Sequence, residues 1–271
     1  MSKKLVREYY CKYAEGEWER LARDPYHRLE FDTTLHFLRK YLPPKGLVLD
    51  AGGGPGRYTI ALARLGYDMV LLDLAPELLG IARREIRRAG VGAKVKKIMV
   101  GSIDDLTVFG DSSFDAVLCL GGALCHLVDR RRRAKAVSEL ARVAKRRAPI
   151  CVSVIGRLAL NANAASGQAP GVLDVPSVFW RYVLTGDYRG GHGFAPTHFY
   201  LPEDLEADLK RSAKVITMVG LEGVFSTHRR EYNRAARSRK HAAVLRELHL
   251  KTCTHPVVAG MSEHFMAVCR K

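Results

Sequence analysis

The sequence predicts an α/β protein built on a doubly wound parallel sheet. Three observations carry the prediction. Residues 47–56 read Leu-Val-Leu-Asp-Ala-Gly-Gly-Gly-Pro-Gly, a short apolar run, an acid and then four glycines in five positions. Mainly apolar runs of strand length recur at 68–74, 114–122 and 149–155, a further strand is read over 95–100, and amphipathic helical stretches lie between them. The second run closes on Asp73, 73 − 50 = 23 residues beyond Asp50. That is the spacing at which nucleotide-binding sheets place an acid against ribose hydroxyls.

The bulk properties bound the rest. A chain of 271 residues holds one large α/β domain, or a domain with an insertion, and 47% hydrophobic content supports a core. No apolar run reaches the ~18 residues of a membrane span. The start, Met-Ser-Lys-Lys-Leu-Val-Arg-Glu, lacks a signal-peptide core. Cys11, Cys119, Cys125, Cys151, Cys253 and Cys269 form no Cys-x-x-Cys pair. They read as small buried residues in a reducing cytoplasm, with no metal site expected. Net charge is +16, which makes polyanions worth weighing as partners. The charge falls on helical stretches: Arg83, Arg84, Arg87 and Arg88, then 130–133, then 229–240. Aromatic residues do not interleave these runs as a base-stacking groove requires. Solvated helix faces are therefore preferred to a nucleic-acid surface.

Residues 1–45 read as a helical extension. Asp24-Pro25 is an N-cap followed by proline at the first helical position. Leu35, Leu38, Tyr41 and Leu42 share a face, and Pro43-Pro44 stops the helix. Tyr9, Tyr10, Tyr13 and Trp18 cluster upstream, either to pack the extension on the domain or to cover a cleft. Leu47, Val48 and Leu49 then form a buried strand that Asp50 ends. The glycine turn leads into a helix over 58–65, so a ligand would sit at a helix N-terminus. A glycine-rich turn without ligand is the plain alternative. The dinucleotide fingerprint G-x-G-x-x-G needs glycine at position 57, where Arg57 stands. The spacing present is Asp50-x-Gly52-x-Gly54-x-Gly56.

Residues 76–89 form a helix after Asp73. The strand over 95–100 ends in Gly-Ser-Ile-Asp-Asp-Leu, with Asp104 in a turn where aspartate is common for its own reasons. The next strand reads Phe-Asp-Ala-Val-Leu-Cys-Leu-Gly-Gly, and open sheets bind ligands beyond such carboxyl ends. A helix over 130–145 and a strand over 149–155 follow. Residues 157–200 break the pattern, and their seven aromatics, Phe179 to Tyr200, argue for a packed insertion. Pro202, Glu203 and Asp204 open another helix. A strand over 214–219, helix over 228–250 and a last strand over 263–270 complete the chain.

The alternate glycines after Asp50, with Asp73, Asp104 and the Phe-Asp-Ala-Val strand, resemble the class I S-adenosylmethionine (SAM) methyltransferases over residues 45–155, and more loosely over 198–271. The resemblance implies a Rossmann-like, seven-stranded, mostly parallel sheet with helices on both faces. It divides the chain into a helical cover (1–45), a SAM-binding core (46–156), a cap insertion (157–200) and a C-terminal part of the sheet with a long helical segment (201–271). It implies that Asp50, Gly52, Gly54, Gly56, Asp73, Leu74, Ser102, Ile103, Asp104, Leu120 and Gly121 hold SAM and its product S-adenosylhomocysteine. Asp104 would accept from the adenine amino group. The expected reaction is methyl transfer to an O or N of a small-molecule acceptor. An RNA or protein methyltransferase is the alternative, on charge alone. His126, after the fourth strand, and His198, where the cap returns, are the candidate bases, because neutral imidazole accepts a proton near pH 7. A structural histidine and a reaction needing no base are the competing readings. The acceptor, the methylated atom and the oligomeric state stay open.

Overall fold

The computed structural model describes residues 2–165, 173–191 and 193–271. Helices α1 (Ser2–Lys12), α2 (Ala14–Arg20) and α3 (Pro25–Tyr41) precede strand β1 (Leu47–Ala51). Then come α4 (Arg57–Arg64), β2 (Asp68–Asp73), α5 (Pro76–Arg88), β3 (Val95–Val100), β4 (Ala116–Cys119), α6 (Arg130–Val143) and β5 (Pro149–Ile155). The insertion holds α7 (Arg157–Ala165), α8 (Pro176–Thr185), β6 (Asp187–Tyr188) and β7 (Thr197–His198). The chain closes with α9 (Pro202–Leu209), β8 (Lys214–Gly220), α10 (Arg229–Ala235), α11 (Arg239–Thr252), α12 (Pro256–Met261) and β9 (His264–Arg270). Among the described residues no helix is long and apolar enough to cross a membrane.

Seven strands make one sheet in the order β3-β2-β1-β4-β5-β9-β8. The first five run parallel, and β9 is antiparallel to both β5 and β8. Successive side chains of a strand face opposite ways, and both faces here are apolar. Leu49, Ala51, Leu72, Val117 and Val152 pack under α6 and α9 on one side. Val48, Leu71, Leu118, Cys151 and Val268 pack under α3, α4 and α5 on the other. The strand order reverses between β1 and β4, so their carboxyl ends open a crevice there. Phe265 is fully buried on β9 against this sheet. Phe265→Ala should cost about 3–5 kcal/mol in urea unfolding, since the rigid sheet cannot collapse on the hole.

Asp24 caps α3 as its sequence suggests, its side chain accepting from His27 N at 3.0 Å. The insertion is packed rather than loose. Tyr182, Tyr188 and Phe199 are buried together, with Phe179 and Phe194 beside them. Most of its aromatics thus build the insertion's own small core, while Trp180 is 57% exposed and Tyr200 joins the main core. Residues 166–172 and 192 of the expected cap lie outside the described residues. Five of the six cysteines are buried and none is in a disulfide. Burial pushes the Cys125 thiol up to about 12, which makes it inert.

Candidate active site

A cleft opens at the carboxyl ends of β1, β2 and β4, roofed by α1 and α2. Its floor is the glycine turn. Gly52 has φ +76, and a Cβ there would lie 2.5 Å from the Ala123 Cβ, so only glycine fits. The turn is pinned to β2: Gly52 N and Gly53 N donate to Leu72 O, and Gly54 N donates to Asp73 Oδ2 at 2.8 Å. Asp73 Oδ1 accepts from Ala75 N at 2.8 Å. The carboxylate therefore ties two loops together at the cleft wall. Burial raises its pKa to about 6 against the pull of those N–H bonds.

Of the residues named from sequence, Gly52, Gly54, Asp73, Leu74, Ser102 and Ile103 line this cleft, as do Leu120, Gly121 and His126. Asp50, Gly56, Asp104 and His198 do not. Asp50 lies beneath the turn with no exposure, in contact with the position a Gly53 Cβ would take. Its Oδ2 accepts from Thr59 Oγ1 at 2.6 Å, and its Oδ1 has no hydrogen-bond partner among the described residues. Burial lifts its pKa to about 6. Gly56 is the N-cap of α4, packed on Ala82 and Leu71. Asp104 binds Ser102 Oγ, Lys3 Nζ at 3.0 Å and the Arg132 guanidinium at 2.7 Å. Burial alone would raise this acid, but those three hydrogen bonds hold it down at about 2. Asp104 thus ties α1 to α6 beside the cleft. Its two cationic partners are 101 residues before it (Lys3) and 28 after it (Arg132), a pairing no local motif records.

His126 is buried at the cleft end. Its Nδ1 lies 3.0 Å from Pro196 O. A carbonyl only accepts, so Nδ1 carries the proton and Nε2 is the free lone pair. That lone pair accepts from the Tyr10 hydroxyl at 2.7 Å. Burial drives the His126 pKa down to about 4, which keeps the ring neutral. The phenol of half-buried Tyr10 is pushed well up by its loss of solvent. His198 instead has Nδ1 2.6 Å from Asp187 Oδ1 and its ring edge on Tyr200, inside the insertion.

Tyr10, Glu17 and Arg20 also line the cleft and escaped the sequence-derived set. The aromatic cluster around Tyr9 was the one signal for the first. Arg20 Nε donates to Glu17 Oε1 at 3.0 Å, which sets a cation and an anion side by side in the wall. Phe194 of the insertion meets the rings of Tyr9 and His126.

Residues 48–147 match the family model described as "Methyltransferase domain". Ubiquinone biosynthesis O-methyltransferase of Xanthomonas axonopodis pv. citri is 38% identical over 97 residues, covering 35% of this chain and 39% of that one. The Xylella fastidiosa protein of the same name is 32% identical over 113 residues, covering 41% and 44%. The chain spans less than half the length of these curated relatives. Among solved structures, a SAM-dependent methyltransferase from Clostridium acetobutylicum superposes with a TM-score of 0.61 at 15% identity, covering 96% of this chain and 98% of that one. A possible histamine N-methyltransferase from Thermotoga maritima gives 0.60 at 16% identity, covering 98% and 99%. At such identities the likeness is one of fold.

Proposed function

We propose that this chain is a class I SAM-dependent methyltransferase that transfers a methyl group to an O or N of a small-molecule acceptor, a reading supported by the methyltransferase-domain match over residues 48–147. The observation that carries the acceptor class is the roof. Val6 and Tyr10 from α1 and Leu21 just after α2 line the same cleft as Leu120 and Gly121, an apolar cover that suits a compact acceptor. In this reading 1–45 serves as cover and 157–200 as cap.

The residues present fit the cofactor. Asp73 stands where ribose hydroxyls would donate to it, and Leu74, Leu78 and Ile103 offer an apolar wall for a purine. Arg20 and Glu17 together match a zwitterionic amino-acid end, the guanidinium for its carboxylate and the carboxylate for its ammonium. Asp50 acts from beneath, holding Thr59 and so the start of α4. Asp104 acts through Ser102, which it bonds. When bound, SAM supplies a methyl group already activated on a sulfonium, so the protein's task is alignment.

For a hydroxyl acceptor the proton needs a place to go. An acceptor seated against Tyr10 hands its proton to the tyrosine oxygen while the tyrosine's own proton passes to His126 Nε2. Nδ1 keeps its proton on Pro196 O throughout. With SAM bound, the methyl group would pass from its sulfonium to the acceptor oxygen, and His126 would hold the released proton as the cation. His198 has no part in this route. It serves to fix the insertion through Asp187.

Asp73 also sets a pH dependence. Its carboxylate form accepts from the ribose, and its pKa of about 6 exceeds the ordinary carboxylate value. Below pH 6 the acid is protonated and that acceptance is lost. Affinity for S-adenosylhomocysteine should therefore rise from pH 5 to pH 7, with uptake of protons on binding absent and release present in calorimetry. A flat profile would remove Asp73 from the ribose site.

The polymer alternative rests on charge, and four arginines of the basic runs are held by acids or carbonyls of the fold. Arg84 pairs with Glu15 and Glu85, Arg132 with Asp104, Arg229 with Glu263, and Arg133 is buried on Leu127 O and Val128 O. The test is methyl incorporation from radiolabelled SAM into catechols, small amines and total RNA. Incorporation into the small acceptors is expected. Salt-resistant, sequence-dependent incorporation into RNA alone would overturn the reading.

A further inference from the structure

Behind the cleft a line of ionic side chains runs from Arg20 into the body of the fold. Glu30 on α3 accepts from Arg20 Nη1 at 2.5 Å and from Nη2 at 3.3 Å. Glu30 Oε2 lies 3.8 Å from Nδ1 of His264, the first residue of β9. That Nδ1 donates to Glu222 Oε1 at 2.7 Å. Glu222 Oε2 accepts from Ser262 Oγ at 3.0 Å and from His264 N at 2.8 Å. Glu30 is 2% exposed and Glu222 1%. Two carboxylates so buried need a cation between them, because an unpaired buried charge is costly. Burial by itself would discharge His264, but Glu30 and Glu222 prevail and raise its pKa to about 9.

The ligating atoms of Glu30, Glu222 and His264 fall within 4.8 Å of one another, close enough for a metal ion. The Nδ1 proton and the Arg20 guanidinium already supply the positive charge there. The nearby Glu263 is engaged elsewhere, accepting from the Tyr26 hydroxyl at 2.7 Å and pairing with Arg229. Arg20 is the free end of the line: it reaches the cleft wall, its Nη2 lying 3.9 Å from where a Gly121 Cβ would stand.

We propose that His264 is a positioning residue for the amino-acid end of the cofactor: lodged between Glu222 and Glu30 it fixes Glu30, and Glu30 fixes Arg20 in the cleft. The proposal rests on the SAM reading above. It separates two halves of one ligand. S-adenosylhomocysteine carries the amino-acid end, and 5′-methylthioadenosine carries the adenosine and sulfur without it.

Calorimetry of both compounds on the full chain tests this. His264→Gln should weaken S-adenosylhomocysteine about tenfold and 5′-methylthioadenosine by less than about twofold. Glu30→Gln should show the same selective loss, and it carries the test if His264→Gln does not fold. The double variant should be no weaker than Glu30→Gln alone, because the histidine acts through that glutamate. Equal loss of both compounds, no loss of either, or additive losses in the double variant would overturn the proposal. If the wild-type chain binds neither compound, the methyl-transfer reading falls and takes this proposal with it. Binding of 5′-methylthioadenosine at full strength with unselective variants sinks the proposal alone.

Discussion

His126→Ala should slow methyl transfer by about 10²–10⁴-fold, the usual worth of a general base, while S-adenosylhomocysteine affinity stays nearly unchanged. The loss should appear in kcat, because the imidazole accepts its proton only as the acceptor reacts. Tyr10→Phe should lower kcat by a comparable factor, since it cuts the 2.7 Å link between the cleft and Nε2. The double variant should be little worse than either single one, as members of one proton route are not additive. His198→Ala leaves that route whole and should act on the stability of the insertion instead. If both His126→Ala and His198→Ala keep turnover within severalfold of wild type, neither of these histidines is the base, and alignment alone carries the reaction.

Asp73→Ala should weaken S-adenosylhomocysteine about ten- to a hundredfold, from the loss of charge-assisted hydrogen bonds worth roughly 1.5–3 kcal/mol. The same substitution also frees Gly54 N and Ala75 N, which now donate to this carboxylate. Part of the loss is then a looser glycine turn. Asp73→Asn separates the two effects, because its amide oxygen can still accept from one of those N–H groups. It should retain more of the thermal stability than Asp73→Ala while still losing affinity. A hundredfold loss for alanine with none for asparagine would mean that the residue serves the turn and not the ligand.

The sheet was legible because its signals are local. Four of the five strands of the parallel half are short, mainly apolar runs, the edge strand 95–100 carries two lysines, and 149–155 is bounded to the residue. The glycine turn and Asp73 were legible because backbone geometry demands them in a fixed order. What the sequence concealed is what long-range packing decides. Tyr10 meets His126 across 116 positions, and Glu30 nears His264 across a whole domain. Nothing in the run around Arg20 tells that it turns inward. Asp104 reads as a cleft residue by its place after β3, yet Lys3 and Arg132 claim its oxygens. The aromatics of the insertion read as a packed segment by composition, and most of them pack on one another. Composition reports that a segment is packed and leaves open against what.

The central claim is that the cleft between the glycine turn and α1–α2 binds SAM. Calorimetric titration of the full chain with S-adenosylhomocysteine and, separately, with NAD addresses it most directly. Saturable one-to-one binding of S-adenosylhomocysteine, about ten- to a hundredfold weaker in Asp73→Ala, is expected, with no measurable heat for NAD. Tight binding of NAD with none of S-adenosylhomocysteine would contradict it.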